Sequence, residues 1–425
     1  MSVFGFLRRM AGAGAPAPVQ ELAQICDALL AESGEYASTA LAGEAVARLR
    51  ALDDAGREQF FDVLAANYSP AEAALKQAAA AYQAAPTSDN LIRLQQASES
   101  PRRELFDRLN MAPGGTAALV QMRSELLKRI KQHPAWRLLD YDLRRRLRSW
   151  FNRGFLRLER IDWRTSALVL EKLIDYEAVH AVQGWPDLRR RLQADRRCYA
   201  FFHAQLPDEP IIFIEVALTH GMSARVQPLL DVRAPVGDPM KADCAMFYSI
   251  TNCQEGLRGI SFGNQLIKQV AEDLKSEFPH LRRFATLSPI PGFRRWLEEN
   301  ATPALAAQIA DPAWHLGEIP DAVQEELTRL CAYYLVRAKE EGGEPLDPVA
   351  RFHLGNGASL DRLNFLGDTS ESGMARSAGL MVNYVYWLAE LEKNHERYFR
   401  ERVVSASPTV DKLARECHLP SENAA

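Results

Sequence analysis

The residue pattern changes near residue 160, and this change constrains the fold more than any other feature of the chain. Residues 18 to about 155 are rich in alanine and leucine and poor in β-branched residues, which is typical of helices. Apolar residues at helical spacing, such as Val120, Leu126 and Ile130, predict a bundle of about six to eight helices. Beyond Cys198, short aromatic and β-branched runs alternate with an amphipathic helical pattern. The sequence therefore predicts a helical bundle followed by a mixed α/β domain.

The length and composition fit a soluble protein of two domains. A chain of 425 residues exceeds the usual size of a single core, and its 47% hydrophobic and 25% charged residues are ordinary for a globular protein. We predict a flexible N-terminus over residues 1–17, a helical domain over 18–158 and an α/β domain over 159–425. The boundary is expected between residues 155 and 165.

Charge, hydropathy and cysteine spacing argue against several classes of protein. The net charge of −4 argues against nucleic acid as the main partner, and no apolar stretch of about 18 residues could cross a membrane. The histidines lack the spacing of metal ligands, so no metal site is expected. The cysteines form no C-x-x-C pair and are typical of reduced thiols in a cytosolic protein. They are Cys26, Cys198, Cys244, Cys253, Cys331 and Cys417.

A serine followed by two prolines is the first candidate for a catalytic position. An apolar run ends at Ser288, and Pro289 and Pro291 follow before Gly292 opens a helical pattern at Phe293. Because proline fixes φ and cannot donate a ladder hydrogen bond, the strand is expected to stop at Ser288. A hydroxyl held at such a rigid corner suits catalysis, although an ordinary turn has the same pattern.

A glycine-rich loop is the second candidate and has the features of an anion-binding segment. The motif Arg258-Gly259-x-Ser261-x-Gly263 lies between a strand and a helix predicted over residues 264–276. Small residues allow backbone N–H groups to approach a phosphate at a helix N-terminus. The spacing matches neither the P-loop nor the dinucleotide fingerprint, but it resembles the coenzyme A loop of acetyltransferases. A glycine-rich turn without a function is an equal alternative.

His353 and Asn383 complete the set of candidates. Histidine suits proton transfer near neutral pH, although His353 beside apolar residues also fits a structural imidazole. Asn383 follows a run of small residues from Ser372, and we predict that it lies on a helix. An asparagine among apolar residues needs hydrogen-bond partners, so either a functional or a packing role is open.

Two other local patterns predict a helix start and a turn. Ser69 is predicted to cap a helix that begins at Pro70, with Glu72 as its capping-box partner. The segment Pro207-Asp208-Glu209-Pro210 is predicted to turn between two strands of a hairpin.

Two runs of arginine are interpreted as solvated helix faces. They are Arg144-Arg145-Arg146-x-Arg148 and Arg189-Arg190-Arg191. A role in phosphate binding is the less favoured alternative for both.

The three candidate segments, in this order and at these separations, resemble the malonyl-CoA decarboxylase family. The motifs Leu287-Ser288-Pro289-Ile290-Pro291-Gly292-Phe293 and Phe352-His353-Leu354-x-Asn356-Gly357-Ala358 are specific to that family. The resemblance covers nearly all of the chain beyond residue 100. Further matching motifs are Trp150-Phe151-x-x-Gly154-Phe155, Arg196-Arg197-Cys198-Tyr199, Phe247-Tyr248-Ser249-Ile250, Gln254-x-Gly256-Leu257-x-Gly259 and Asn383-Tyr384-x-Tyr386.

The resemblance implies a fold, a reaction and site residues. It implies a helical oligomerisation domain followed by an acetyltransferase-like mixed α/β catalytic domain, which converts malonyl-CoA to acetyl-CoA and CO2. No cofactor is implied, since coenzyme A is part of the substrate. The implied catalytic residues are Ser288 and His353. The implied substrate-binding residues are Arg258, Gly259, Ile260, Ser261, Phe262, Gly263, Asn264, Ser288, His353 and Asn383.

These residue types suit decarboxylation through a thioester enolate. Loss of CO2 leaves an enolate whose oxygen must be stabilised and whose carbon must receive a proton. We expect Ser288 to contact the malonyl group, His353 to supply the proton directly or through Ser288, and Asn383 to orient His353 or the thioester. Two alternatives are an acyl-CoA-dependent acyltransferase on the same fold and a non-catalytic acyl-CoA-binding scaffold.

The resemblance also implies partners and a location. We expect a homo-oligomer, either a dimer or a tetramer, formed through the helical domain, with no nucleic acid or membrane as partner. The chain ends Ser421-Glu422-Asn423-Ala424-Ala425 and lacks a Ser-Lys-Leu peroxisomal signal, so the bacterial, cytoplasmic form of the family is expected.

Overall fold

The structure is a computed structural model that describes residues 17–260 and 266–419. Its residues form two compact units. Of the described residues, the first unit contains 17–157, 202–211 and 254–260, and the second contains 158–201, 212–253 and 266–419. Among these residues, no helix is both long and apolar enough to cross a membrane.

The first unit is built mainly from eight α-helices between residues 17 and 150. They are α1 (Ala17–Ala31), α2 (Glu35–Ala51), α3 (Asp54–Asn67), α4 (Glu72–Ala84), α5 (Ser88–Ser98), α6 (Pro101–Met111), α7 (Gly115–Arg129) and α8 (Arg137–Trp150). Apolar side chains such as Leu119 and Leu126 of α7 are fully buried among them. The predicted helical bundle is confirmed.

A buried ion pair ties α6 to α8 inside the bundle. The Nε of Arg102 donates to Asp142 Oδ2 at 2.7 Å, and both side chains are almost completely buried. The same guanidinium donates to the hydroxyl of Ser69 at 2.9 Å. Ser69 in turn donates to the Ala65 carbonyl at the end of α3. The predicted N-cap is therefore wrong: α4 begins at Glu72, because Ser69 is held by the preceding helix.

The second unit is organised on a mixed sheet. The strands of this sheet, which lie in the second unit except for parts of β1, β2 and β3, are β1 (Leu156–Ile161), β2 (Arg196–His203), β3 (Leu206–Thr219), β4 (Cys244–Asn252), β5 (Arg283–Thr286), β6 (Ser288–Pro289), β7 (Ser359–Asn364) and β8 (Met381–Val385). The strand order is β1-β2-β3-β4-β5-β8-β6, and β7 also pairs with β8. The β4–β5 pair is parallel, whereas β3–β4, β5–β8, β6–β8 and β7–β8 are antiparallel. The predicted mixed α/β architecture is confirmed.

Helices connect and follow these strands in the chain. They are α9 (Ala167–Tyr176), α10 (Trp185–Arg191), α11 (Gln227–Leu230), α12 (Leu266–Glu277), α13 (Phe293–Asn300), α14 (Pro303–Ala310), α15 (Asp321–Val336), α16 (Pro348–Gly355), α17 (Glu371–Ser377), α18 (Leu391–Glu401) and α19 (Pro408–Arg415). One face of the sheet buries an apolar cluster that includes Met246, Leu287 and Met381.

Two local predictions in the sheet are wrong. Residues Ala204 and Gln205, rather than Pro207–Pro210, connect β2 to β3. Strand β3 pairs with β4 only from Ile212 onward. Pro207 and Pro210 precede this pairing, so their missing N–H groups cost no hydrogen bond to β4. Asn383 lies on β8 and not on a helix. Helix α17 ends at Ser377, and Ala378 and Gly379, which follow it, both have positive φ.

The arginine runs differ in their environments. Arg144, Arg145 and Arg148 are exposed, as predicted. Arg190 and Arg191 are buried, so the interpretation as a solvated face is wrong for them. Their guanidinium groups are paired with the carboxylates of Asp195, Asp187 and Glu215.

Two glycines of the bundle give a matched test of its packing. A Cβ on Gly115 would lie 1.9 Å from the Leu109 carbonyl oxygen, whereas a Cβ on Gly43 would meet nothing within 4 Å. We expect Gly115→Ala to lower the free energy of unfolding by about 1–3 kcal/mol, through backbone displacement. Gly43→Ala, inside α2, should raise it by about 0.5–1 kcal/mol. Urea denaturation measures both, and equal effects of the two substitutions would contradict the packing described.

Candidate functional site

Ser288 and His353 form a hydrogen-bonded pair in the second unit. The Oγ of Ser288 lies 2.9 Å from Nε2 of His353, although 65 residues separate them in the chain. Both side chains are buried, with exposed fractions of 5% and 3%. The structure therefore brings the two predicted catalytic residues together.

Each side chain of this pair has a second partner. The Nδ1 of His353 lies 2.7 Å from the hydroxyl oxygen of Tyr386. Ser288 donates its hydroxyl hydrogen to Oγ1 of Thr286 at 2.9 Å. The Thr286 oxygen also accepts from the backbone N–H of Tyr384 at 3.2 Å. The chain of contacts thus runs from Tyr386 through His353 and Ser288 to Thr286.

The direction of these hydrogen bonds places the imidazole proton. Because a serine hydroxyl has one hydrogen, which Ser288 donates to Thr286, Ser288 accepts from His353. The proton of a neutral imidazole is then on Nε2, and Nδ1 accepts from the Tyr386 hydroxyl. This is the opposite of a base that activates a serine nucleophile, where the serine donates to the imidazole. The arrangement suits a proton donor.

Burial keeps His353 neutral. Desolvation lowers the pKa of His353 to about 3, so the ring is uncharged at neutral pH. The ring of Tyr384 stacks on the imidazole at a centroid distance of 4.6 Å and an interplanar angle of 25°. The stacked ring and the two hydrogen bonds fix the orientation of His353.

Local sequence explains how Ser288 is held. Ser288 and Pro289 form β6 at the end of the sheet and pair with Val382 and Met381 of β8. The predicted stop at Ser288 is therefore wrong, since pairing continues through Pro289. An edge strand accommodates proline, because its nitrogen need not donate to a second neighbour.

The helix that carries His353 begins at a buried cap. Asp347 precedes α16 and accepts from the backbone N–H of Ala350 at 2.8 Å. Burial raises the pKa of Asp347 to about 6, against the opposing effect of backbone hydrogen bonds. Pro348 at the first helical position suits this start, because a first-turn residue needs no intrahelical N–H bond.

Asn383 is completely buried, and its side-chain amide makes four hydrogen bonds. Its Nδ2 donates to the carbonyls of Thr286 at 2.7 Å and Ser223 at 3.1 Å. Its Oδ1 accepts from Arg362 Nε at 3.0 Å and Asn364 Nδ2 at 2.9 Å. These four bonds use the full capacity of an amide and include neither His353 nor Ser288. Asn383 holds the main chain two residues before Ser288.

The predicted coenzyme A loop is described in part. Arg258 is exposed, Gly259 has a φ of +75° and Ile260 is largely buried. A φ in this region favours glycine over any residue with a Cβ. The predicted binding residues Ser261, Phe262, Gly263 and Asn264 lie outside the described residues. The described part belongs to the first unit, whereas Ser288, His353 and Asn383 belong to the second.

Sequence reasoning missed Tyr386 and Thr286 as members of the site. Tyr384 and Tyr386 are two residues apart, so on a strand they share a face. That signal was hidden by the prediction of a helix for this segment. In the part of the chain that the structure describes, no cluster of three or more histidine, cysteine or acidic side chains could hold a metal ion.

Comparison with known proteins identifies two matching family models. Residues 154–424 match the malonyl-CoA decarboxylase C-terminal domain, and residues 68–151 match the malonyl-CoA decarboxylase N-terminal domain. The mitochondrial malonyl-CoA decarboxylase of Anser anser anser is 38% identical over 348 residues, which cover 73% of this chain and 69% of that protein. The mitochondrial enzyme of Rattus norvegicus is 38% identical over 347 residues, covering 73% and 70%.

Solved structures show the same relationship. Malonyl-CoA decarboxylase from Rhodopseudomonas palustris superposes with a TM-score of 0.89 at 47% identity, covering 93% of this chain and 100% of that chain. The protein of the same name from Agrobacterium vitis gives a TM-score of 0.86 at 45% identity, covering 93% and 99%. The resemblance inferred from the sequence motifs is confirmed.

The neutral buried His353 predicts a specific dependence of stability on pH. The folded-state pKa of about 3 lies below the usual value of 6.5, so between these values the unfolded state binds the additional proton. Stability is therefore lost as the pH falls below 6.5. Between pH 7 and pH 5, this protonation lowers the free energy of unfolding of the wild type by about 2 kcal/mol. We expect His353→Gln to lack this part of the decrease. Urea denaturation at the two pH values measures this, with the exposed His418→Gln as a control that leaves the loss unchanged. An unchanged loss in His353→Gln would contradict the neutral assignment.

Proposed function

Because the chain belongs to the malonyl-CoA decarboxylase family, we propose that it converts malonyl-CoA to acetyl-CoA and CO2. The observation that carries the proposal is the buried Ser288–His353 hydrogen bond, which presents an Nε2 proton to the serine oxygen. A decarboxylase needs such a proton source, because the bond that breaks leaves its electron pair on the α-carbon.

The reaction proceeds through a thioester enolate. The carboxylate leaves as CO2, and the electrons of the broken C–C bond pass into the thioester to form the enolate oxygen. Fixed hydrogen-bond donors in a dry site stabilise that oxygen more strongly than water does. A proton then adds to the α-carbon and gives acetyl-CoA, so one proton is consumed in each turnover.

Ser288 and His353 have separate roles in this proposal. Ser288 contacts the malonyl group, and Thr286 and Pro289 keep its hydroxyl in place before substrate arrives. His353 supplies the proton from Nε2, directly or through Ser288, while Nδ1 takes the hydroxyl proton of Tyr386, so that the imidazole stays neutral. A proton from solvent then restores the pair after each turnover. No covalent intermediate is needed, since Ser288 accepts from the imidazole rather than donating to it.

The remaining predicted residues bind or position. Arg258, Gly259 and Ile260, together with Ser261–Asn264, would hold the pantetheine and pyrophosphate of coenzyme A through backbone N–H groups. Asn383 positions the main chain at Thr286. No metal, biotin or nucleotide takes part in the proposed reaction. No disulfide joins the described cysteines, five of which are buried, and this supports a reducing compartment such as the cytoplasm.

Substitutions at the pair test the decarboxylase proposal. We expect Ser288→Ala and His353→Gln each to lower kcat by at least about 100-fold, the usual scale for loss of a positioned proton donor. Release of CO2 from malonyl-CoA without an acceptor amine is the measurement. His395→Gln is the control. His395 contacts the carbonyl of Gly355, the last residue of the helix α16 that carries His353, and it does not contact Ser288.

Three outcomes would count against this function. A kcat within threefold of wild type in both variants would remove the assigned roles. Turnover that appears only when an acceptor amine is added, with the acyl group retained in the product, would favour an acyltransferase. Binding of coenzyme A without any turnover would favour a non-catalytic scaffold.

We also propose that the chain forms a homo-oligomer through its helical domain. Helices α4 and α5 pack mainly on each other, and neither contains a buried residue. Leu91 and Ile92 of α5 are 39% and 50% exposed. Since two short helices gain little stability without tertiary packing, this hairpin is suited to packing against a second copy.

Sedimentation velocity tests the role of the hairpin. We expect the double substitution Leu91→Glu and Ile92→Lys to lower the mass of the wild-type oligomer, because charged side chains would have to lose water at the interface. Leu316→Glu is the matched control, as Leu316 is 78% exposed in the second unit. A wild-type monomer, or an unchanged oligomer in the double variant, would contradict the proposal.

A further inference from the structure

Arg123 of α7 is a buried arginine, and two of its three acceptors are far from it in the chain. Its side chain is 2% exposed, and its Nε donates to Asp140 Oδ1 of α8 at 2.8 Å. Its Nη1 donates to the carbonyl of Gly256 at 2.7 Å and to that of Arg258 at 2.9 Å. All of these residues belong to the first unit.

The same helix also contacts this segment through its backbone. Residues Glu255–Leu257 form a short 3-10 turn, and Leu257 is fully buried. A Cβ on Gly256 would lie 1.9 Å from the carbonyl oxygen of Val120, so only glycine fits there. Helix α7 therefore fixes the turn both by close backbone packing at Val120 and by the guanidinium of Arg123.

The contacts end where the proposed coenzyme A loop begins. Arg258 is the first residue of that loop, and Gly259, with its φ of +75°, follows it directly. We infer that Arg123 is a positioning residue for acyl-CoA binding, which sets the backbone direction at the entry to this loop. The inference deepens the proposed function and rests on it. It also gives helix α7 of the first unit a role in acyl-CoA binding.

Arginine suits this task better than lysine. Burial lowers the pKa of Arg123, and Asp140 opposes that effect. A buried cation is costly unless its donors are paired, and here they are directed to one carboxylate and two carbonyl groups. The planar guanidinium directs its donors to these acceptors in a fixed geometry, whereas a lysine ammonium presents one compact group. Arg123→Lys keeps the charge and loses that geometry.

The bundle contains a matched control in Arg102. Its guanidinium is fully buried and its Nε is paired with Asp142 on the same helix, α8. Its Nη1 also donates to a carbonyl, that of Leu64, at 3.3 Å. These acceptors lie within the bundle and not in the turn at residues 255–257. Arg102→Lys therefore reproduces the loss of a buried guanidinium without touching the loop.

Binding and kinetics of the two full-length variants test the inference. For Arg123→Lys we expect the Kd for coenzyme A, by titration calorimetry, and the KM for malonyl-CoA each to rise by roughly tenfold, or about 1.4 kcal/mol. The kcat should stay within about threefold, because the reacting groups are unchanged. Arg102→Lys should lower the melting temperature and leave the Kd and KM within about twofold. Equal increases of Kd in both variants, or none in Arg123→Lys, would overturn the inference.

Trypsin cleavage after Arg258 gives a second measurement that needs no activity. The Arg258 side chain is 61% exposed, so the rate of cleavage reports the order of its backbone. We expect faster cleavage at this bond in Arg123→Lys and the wild-type rate in Arg102→Lys. If Arg123→Lys does not fold, Asp140→Asn, which keeps Arg123 and removes its carboxylate partner, should give the same pattern at smaller amplitude.

The two measurements separate the two proposals. A wild-type protein that releases no CO2 from malonyl-CoA contradicts the proposed function, while binding of coenzyme A and the cleavage rate still test Arg123. Normal turnover together with unchanged cleavage and unchanged Kd in Arg123→Lys contradicts the positioning role alone.

Discussion

The neutral, buried imidazole of His353 is the group on which the site depends. A ring that is 3% exposed must have both nitrogens paired within the protein, since water cannot satisfy them. Ser288 of β6 and Tyr386, which directly follows β8, provide the two partners. Burial thereby selects the uncharged form, and the partners select the tautomer. The chemistry available to the site follows from these two constraints.

Polar residues near His353 hold its partner Ser288 in position through hydrogen bonds. Thr286 receives the Ser288 hydroxyl hydrogen, and Asn383 bonds the carbonyl of the same threonine. The amide of Asn383 also connects to Ser223 and Arg362. A buried network of hydrogen bonds favours one arrangement over others, because breaking a bond leaves a buried polar atom unpaired. The hydrogen bonds of Thr286 and Asn383 therefore limit the movement of Ser288 when substrate binds.

Sequence reasoning identified the residues of the central pair but not their supports. Ser288 and His353 stand in short motifs of unusual composition, and the helical bundle follows from long runs of helix-forming residues. The small residues before Asn383 favour a helix, so the sequence predicts that Asn383 lies on one. The helix ends at Ser377, however, where Ala378 and Gly379 follow with positive φ. The run of three arginines predicts a solvated face, but Arg191 is buried, and one of its two carboxylate partners, Glu215, lies 24 residues away. Local pattern does not show contacts of that range.

Buried arginines connect distant parts of each unit, and their acceptors distinguish their roles. Arg102 and Arg191 pair with carboxylates, which offsets the desolvation of a buried cation, and each also donates to a main-chain carbonyl within 40 residues of it in the chain. Arg123 differs, because two of its hydrogen bonds go to main-chain carbonyls of a segment more than 130 residues away. A carbonyl acceptor adds no compensating charge, but it fixes the direction of the backbone. That geometry is of most use where the following residues must present their own N–H groups to a ligand, as the loop after Arg258 is proposed to do.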